Sequence, residues 1–129
     1  MRNYVFYDDT DCGGIVYHSN YITFCERARS LIFFNEGIMP HVIDSKDSNN
    51  AFGFVVKSIE SNFISTLKFG DIYEVKSKIF ELKHSSINIA QDIYKLGSVG
   101  DFILDSKITK TREILSFSAK IKLAYKTLP

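Results

Sequence analysis

The segment YDDTDCGGIVYHSNY, from Tyr7 to Tyr21, sets Asp8, Asp9 and Asp11 almost side by side and follows them with Gly13, Gly14 and His18. Carboxylates this close repel one another and suit no ordinary core. The paired glycines let the backbone take positive φ and approach another molecule closely. His18 stands where a helix begins, and the first amides of a helix have no partners within it. Those amides and the helix dipole favour negative charge, so they can hold an oxyanion developing on an attacked carbonyl. A carboxylate at Asp11 can act there as nucleophile or general base. His18 can bond a substrate, move a proton or orient the acid. Together these groups suit hydrolysis at an acyl carbon.

Each residue also has a plainer reading. Asp8 and Asp9 fit solvated turn positions and receive no catalytic role. Asp11 can simply brace its loop by accepting from backbone amides. Tyr7 fits a strand end whose ring packs and whose hydroxyl needs a partner. The glycine pair is no phosphate loop, because no Gly-Lys-Ser/Thr sequence follows at the required spacing. Cys25 falls at a helical core position, as a small hydrophobe would. Cys12, set among carboxylates, is unsuited to nucleophilic use.

The elements that must hold these residues are legible from periodicity. Arg2 to Tyr7, RNYVFY, reads as a first strand broken by DDTDCGG. From Asn20 the apolar residues Tyr21, Phe24, Cys25, Ala28, Leu31 and Ile32 recur at helical spacing. Ile22, Phe33 and Phe34 widen that stripe, which predicts a helix buried on much of its girth. Glu26, Arg27 and Arg29 mark its wet side. Ser19 or Asn20 can cap the start, Gly37 can end it, and Pro40 bars continuation. Asp44 to Asn50 is a polar loop. Alternating runs then predict at least four long strands, the last through Phe117, Ala119, Ile121, Leu123 and Tyr125. The tract from Ser98 to Leu115 fits an extended excursion or a hairpin better than a helix. One helix followed by consecutive strands without helical crossovers predicts an α+β domain in which an antiparallel sheet curls around the helix.

Composition narrows the function. The chain of 129 residues fits one domain, and its 45% apolar content can fill a core. Net charge is only +1, which argues against a nucleic-acid partner. Residues 1–64 carry five Lys/Arg and eight Asp/Glu, whereas residues 65–129 carry eleven and seven. The basic second half can attract an anionic ligand, although solvated strand faces account for any single lysine. No apolar run reaches membrane-spanning length, and MRNYVFYDD is no signal peptide. Two cysteines without metal-ligand spacing indicate free thiols in a reducing cytosol and no metal site.

The segment YDDTDCGGIVYHSNYITFCERARS closely resembles the signature of the YbgC-type acyl-CoA thioesterases, members of the hot-dog superfamily that includes 4-hydroxybenzoyl-CoA thioesterase. Tyr7, Asp9, Thr10, Asp11, Gly14, Val16, Tyr17, His18, Asn20, Tyr21 and Glu26 to Arg29 all fit that pattern. The resemblance implies one hot-dog domain over residues 1–129, with a long helix wrapped by a curled antiparallel sheet of about five strands. It implies homodimers or homotetramers with active sites between protomers. It assigns Asp11 as the catalytic carboxylate, attacking the thioester or activating water. It places His18 at the helix entry, with backbone N–H groups at His18 and Ser19 polarising the carbonyl, and Tyr7 close by. His18 and Tyr7 then position substrate and carry protons. No metal or redox cofactor is implied. Cys12 stands where many relatives have a small residue such as Ala, and the Ser98–Leu115 tract departs from the usual approach to the last strand.

The substrate implied is an acyl-CoA, hydrolysed to free acid and CoA, in a cytoplasmic protein or one peripheral to the inner membrane. Two rival readings share the scaffold. A hydratase is disfavoured because its Asp-to-His spacing and placement differ from Asp11 and His18. A binding protein for acyl-carrier, phospholipid-synthesis or Tol-Pal envelope partners is disfavoured because a scaffold has no need of a crowded acid.

Overall fold

The computed structural model describes residues 1–37, 41–43, 51–100 and 113–128, with side chains described throughout except at residues 41–43, 51–52 and 126–128. Helix α1 spans His18–Asn35. Among the described residues six strands form one antiparallel sheet: β1 (Arg2–Tyr4), β2 (His41–Ile43), β3 (Ala51–Phe63), β4 (Asp71–Lys83), β5 (Ser86–Ser98) and β6 (Ile114–Leu128). Their order is β1-β4-β5-β6-β3-β2, so among the described residues the sheet has two edges and does not close. Register shifts in β3, β4 and β5 add local twist and help it curl around α1. This is the curled sheet around one helix that the alternating runs predict, and the hot-dog architecture that the resemblance implies. The two edge strands are three-residue pieces, and the four long strands carry the barrel-like wall.

The core lies between the first half of α1 and the concave face. Phe24 stacks on Tyr73 with ring centroids 4.4 Å apart, and Tyr21 stacks on Phe117 at 5.4 Å. Val75, Ile89, Ile93, Ile121 and Leu67 complete it, all buried at alternating strand positions or at the β3–β4 corner.

Three expectations need correction. The first strand stops at Tyr4, and Tyr7–Asp9 forms a single 3-10 turn. The chain leaves the ladder there because the amide of Phe6 is taken by the Asp9 carboxylate at 2.9 Å, closing a local turn. Helix α1 starts at His18, as its place at the helix entry anticipates, but neither Ser19 nor Asn20 caps it. Its N-cap is Tyr17, which turns the chain by backbone geometry alone and makes no side-chain cap. Finally, the wet and dry faces differ from the pattern. Arg29 is buried, whereas Leu31, Ile32 and Phe34 are exposed on the last turns. The apolar stripe outruns the sheet that covers it. Gly37 does terminate the helix, at φ +71°, with its amide bonded to Phe34. The Asp44–Asn50 loop, Pro40 and residues 101–112 of the Ser98–Leu115 tract lie outside the described residues.

Candidate functional site

The acid-glycine passage folds as a small hairpin docked on the β3–β4 corner. Thr10 pairs with Val16, and Ile15 with Lys68. The Asp11 amide donates to the Ile15 carbonyl at 3.0 Å, and the Gly14 amide returns to the Asp11 carbonyl at 3.0 Å. Gly14 sits at φ +76°, where an L side chain is strained. Two further bonds fasten the hairpin to the corner. The Val16 amide donates to Leu67 at 2.9 Å, and the Phe69 amide to Gly14 at 3.1 Å. The corner is itself held by buried Asp71, which accepts from the Lys68 amide at 2.8 Å and pairs with Lys95 at 3.4 Å. The hydroxyl of Tyr21 accepts from the Leu67 amide at 3.0 Å, tying the corner to α1.

Asp9 joins this loop to the helix. Its carbonyl accepts both the Tyr17 amide at 3.1 Å and the Asn20 side-chain amide at 2.8 Å. The sequence pattern gave Asp9 only a solvated turn and Asn20 only a cap. Their shared bond spans eleven residues, and no periodicity signals it. Asn20 is thus a positioning residue that capping logic located but assigned to the wrong partner.

Asp11 is exposed. Its Oδ1 accepts from the Gly13 amide at 2.9 Å, so one oxygen braces the loop as its plainer reading anticipates. Its Oδ2 has no partner among the described residues and is available for chemistry. At the helix entry the amides of His18 and Ser19 find no acceptor among the described residues. The His18 ring lies 4.3 Å from Tyr17 and 6.4 Å, edge-on, from Phe63. It opens onto a cavity of about 270 Å³ whose walls include Val16, Tyr21, Phe63, Ile64 and Ser65. Tyr7 is 77% exposed, and its ring meets Phe69 edge-on at 5.6 Å. Its hydroxyl has no partner among the described residues. Asp11, His18 and Tyr7 thus share one docked loop and helix entry, with no hydrogen bond or ring contact among the three within the described residues.

Further along α1, Cys25 is buried and its carbonyl accepts from the Gln91 side chain at 3.0 Å. Burial pushes its thiol up to about 12, while the nearby Arg29 charge opposes the shift. It is a core atom and no nucleophile, as its helical position implied. Burial raises the Tyr21 hydroxyl as well, so it stays protonated and keeps its place under Leu67.

Residues 13–100 match the model of the thioesterase superfamily. The acyl-CoA thioesterase YbgC of Helicobacter pylori is 32% identical over 125 residues, which cover 97% of this chain and 84% of that protein. Among solved structures, a probable thioesterase from Bartonella henselae superposes with a TM-score of 0.75 at 24% identity, covering 100% of this chain and 97% of that one. The 1,4-dihydroxy-2-naphthoyl-CoA thioesterase of Synechocystis superposes with a TM-score of 0.77 at 16% identity, covering 100% and 82%. Both structural likenesses speak to the fold.

Proposed function

Because the chain belongs to the thioesterase superfamily, we propose that it hydrolyses an acyl-CoA thioester to a free acid and CoA. The observation that carries this reading is a carboxylate oxygen left free at Asp11 on the docked loop and amides left free at the entry of α1, with loop and helix tied together at the Asp9 carbonyl. The thioester carbonyl oxygen takes the His18 and Ser19 amides, which polarise it and hold the charge that develops on attack. Asp11 then attacks the carbonyl carbon or takes a proton from an attacking water. The C–S bond breaks, the sulfur leaves as CoA thiol, and water supplies the oxygen of the new acid. His18 and Tyr7 position the substrate and carry protons. The cavity beside His18 receives acyl atoms near the reacting carbonyl.

In the proposed assembly two copies join at the outer edge of β3, as dimers or as tetramers built from them. Strand β2 pairs with β3 only at Ala51–Gly53, which leaves the outer edge from Phe54 to Phe63 without a neighbour among the described residues. Val56, Ile59 and Phe63 are exposed along it. Such an edge is a template for another strand. Phe63 also walls the His18 cavity, so a partner on this edge stands over the site. The physiological setting proposed is the cytoplasm or the inner-membrane surface, with acyl-carrier or phospholipid-synthesis partners. Among the described residues no helix is long and apolar enough to cross a membrane.

The test is a panel of short, long, branched and aromatic acyl-CoAs, read by thiol release. Turnover of at least one class is expected. No release from any member, with the protein folded, overturns the proposal.

A further inference from the structure

Arg29 is 7% exposed and stands on the face of α1 that packs on the sheet. Its only hydrogen bond among the described residues runs from Nη1 to Oε1 of Gln91, at 2.8 Å. Gln91 is itself committed, donating to the Cys25 carbonyl at 3.0 Å and to the Ser77 hydroxyl at 2.9 Å. No carboxylate lies within ion-pair distance of Arg29 among the described residues. Glu26, one turn earlier, accepts from Ser30 instead. A buried guanidinium without an anion is costly, because its charge has left water without compensation. Yet no buried side-chain nitrogen is left unsatisfied among the described residues. The remaining N–H groups of the fork therefore reach open space.

Arg29 borders a small cavity of about 140 Å³ that it shares with Glu26 and Ser30, and a larger one of about 280 Å³ between the last turns of α1 and strands β4 and β5. Arg29 is the buried cation of the larger one. Ile32, Phe33, Ile79, Ile87 and Ile89 supply apolar walls, and Lys78 adds a second cation from an exposed position. No acidic residue lines it among the described residues. It shares no residue with the cavity beside His18. Arg29 follows His18 by three helical turns, a separation of roughly 16 Å along the axis at 1.5 Å per residue.

We propose that Arg29 and this cavity form a binding site for a medium-chain aliphatic carboxylate, apart from the acid loop. The planar guanidinium fork matches a carboxylate in two parallel hydrogen bonds. The walls beyond it favour a hydrocarbon tail. The volume lies just under the roughly 300 Å³ at which ordinary small-ligand cavities begin, room for a medium chain. A phosphate dianion would need more donors than this apolar chamber offers. The proposal does not rest on the hydrolase reading, since binding is measured without turnover.

Decanoate and decanol, titrated calorimetrically into the intact protein, test it. Decanoate should bind at one site per chain, and decanol at least tenfold more weakly. Arg29→Met keeps the stem but removes the fork, and should weaken decanoate at least tenfold while leaving decanol unchanged. It also leaves Gln91 Oε1 without its donor, so a second variant guards against misfolding. Ile79 is 54% exposed on β4, and Ile79→Trp should fold and weaken both ligands by narrowing the chamber. The absence of saturable decanoate binding overturns the proposal. So does equal binding of acid and alcohol, or decanoate binding unchanged in Ile79→Trp.

Discussion

The side-chain amide of Asn20 donates to the main-chain carbonyl of Asp9 at 2.8 Å, and this bond locks the acid loop to the first turn of α1. The same carbonyl takes the Tyr17 amide, so a single oxygen fixes the approach of loop and helix. Catalytic geometry in the proposed reaction depends on that approach, because the carboxylate rides on one side of the joint and the amides on the other.

Asn20→Ala removes the side-chain bond and keeps the helix. It should cost about 1 kcal/mol of stability, the usual worth of one such bond. Activity should fall further than stability does, because a shift of about 1 Å in reacting groups can cost on the order of 100-fold. Steady-state kinetics beside thermal melts check this. A kcat unchanged within twofold contradicts the positioning role.

Ile59→Lys tests the open edge of β3. Ile59 is exposed on a single protomer, so its replacement should spare the fold. In a paired edge it places like charges near one another, which opposes association. Light scattering should show a shift toward monomer, with turnover falling in parallel. An oligomer of unchanged mass shows that copies meet elsewhere.

Cys25 predicts an alkaline weakness. Its folded thiol is held at about 12 by burial, above an ordinary value of 9.0. Between pH 9 and 10 the unfolded thiol loses its proton and the folded one does not, so the unfolded state binds fewer protons. Stability therefore falls as pH rises, with a slope approaching about 1.4 kcal/mol per pH unit. Burial raises Tyr21 and Tyr73 too, and these steepen the fall at higher pH. Denaturant melts should show Cys25→Ala with a flatter decline between pH 9 and 10 than the parent. Equal slopes contradict the assignment. In the native protein a thiol-alkylating reagent should modify Cys12, which is exposed, and spare Cys25.

The elements were legible wherever one period ran long. The helix through Phe24 and Ala28 and the strand through Ile121 and Leu123 each announce themselves by spacing. What spacing does not carry is the partner across the fold. Arg29 reads as a wet residue because Gln91, its acceptor, lies 62 residues away. Leu31 and Phe34 read as core because the pattern cannot show where the sheet ends. The strand order, with β1 beside β4 and β3 beside β6, likewise follows from packing that no local pattern encodes. At the site, Asp11, the glycine turn and the helix entry were visible as residue types. The Asp9–Asn20 joint and the docking of the loop on Leu67 to Phe69 were not, since in both the acceptor is a main-chain carbonyl that residue type does not mark.

The most direct measurement is turnover by Asp11→Asn on whichever acyl-CoA the parent hydrolyses fastest. The amide is nearly isosteric, and its oxygen can still accept from Gly13, so the loop should keep its shape. The variant should melt as the parent does and lose on the order of 1,000-fold or more in kcat, as expected when an essential nucleophile or base is removed. A folded Asp11→Asn protein that retains near-normal turnover contradicts the account, because the carboxylate at position 11 would then not be the group that drives the reaction.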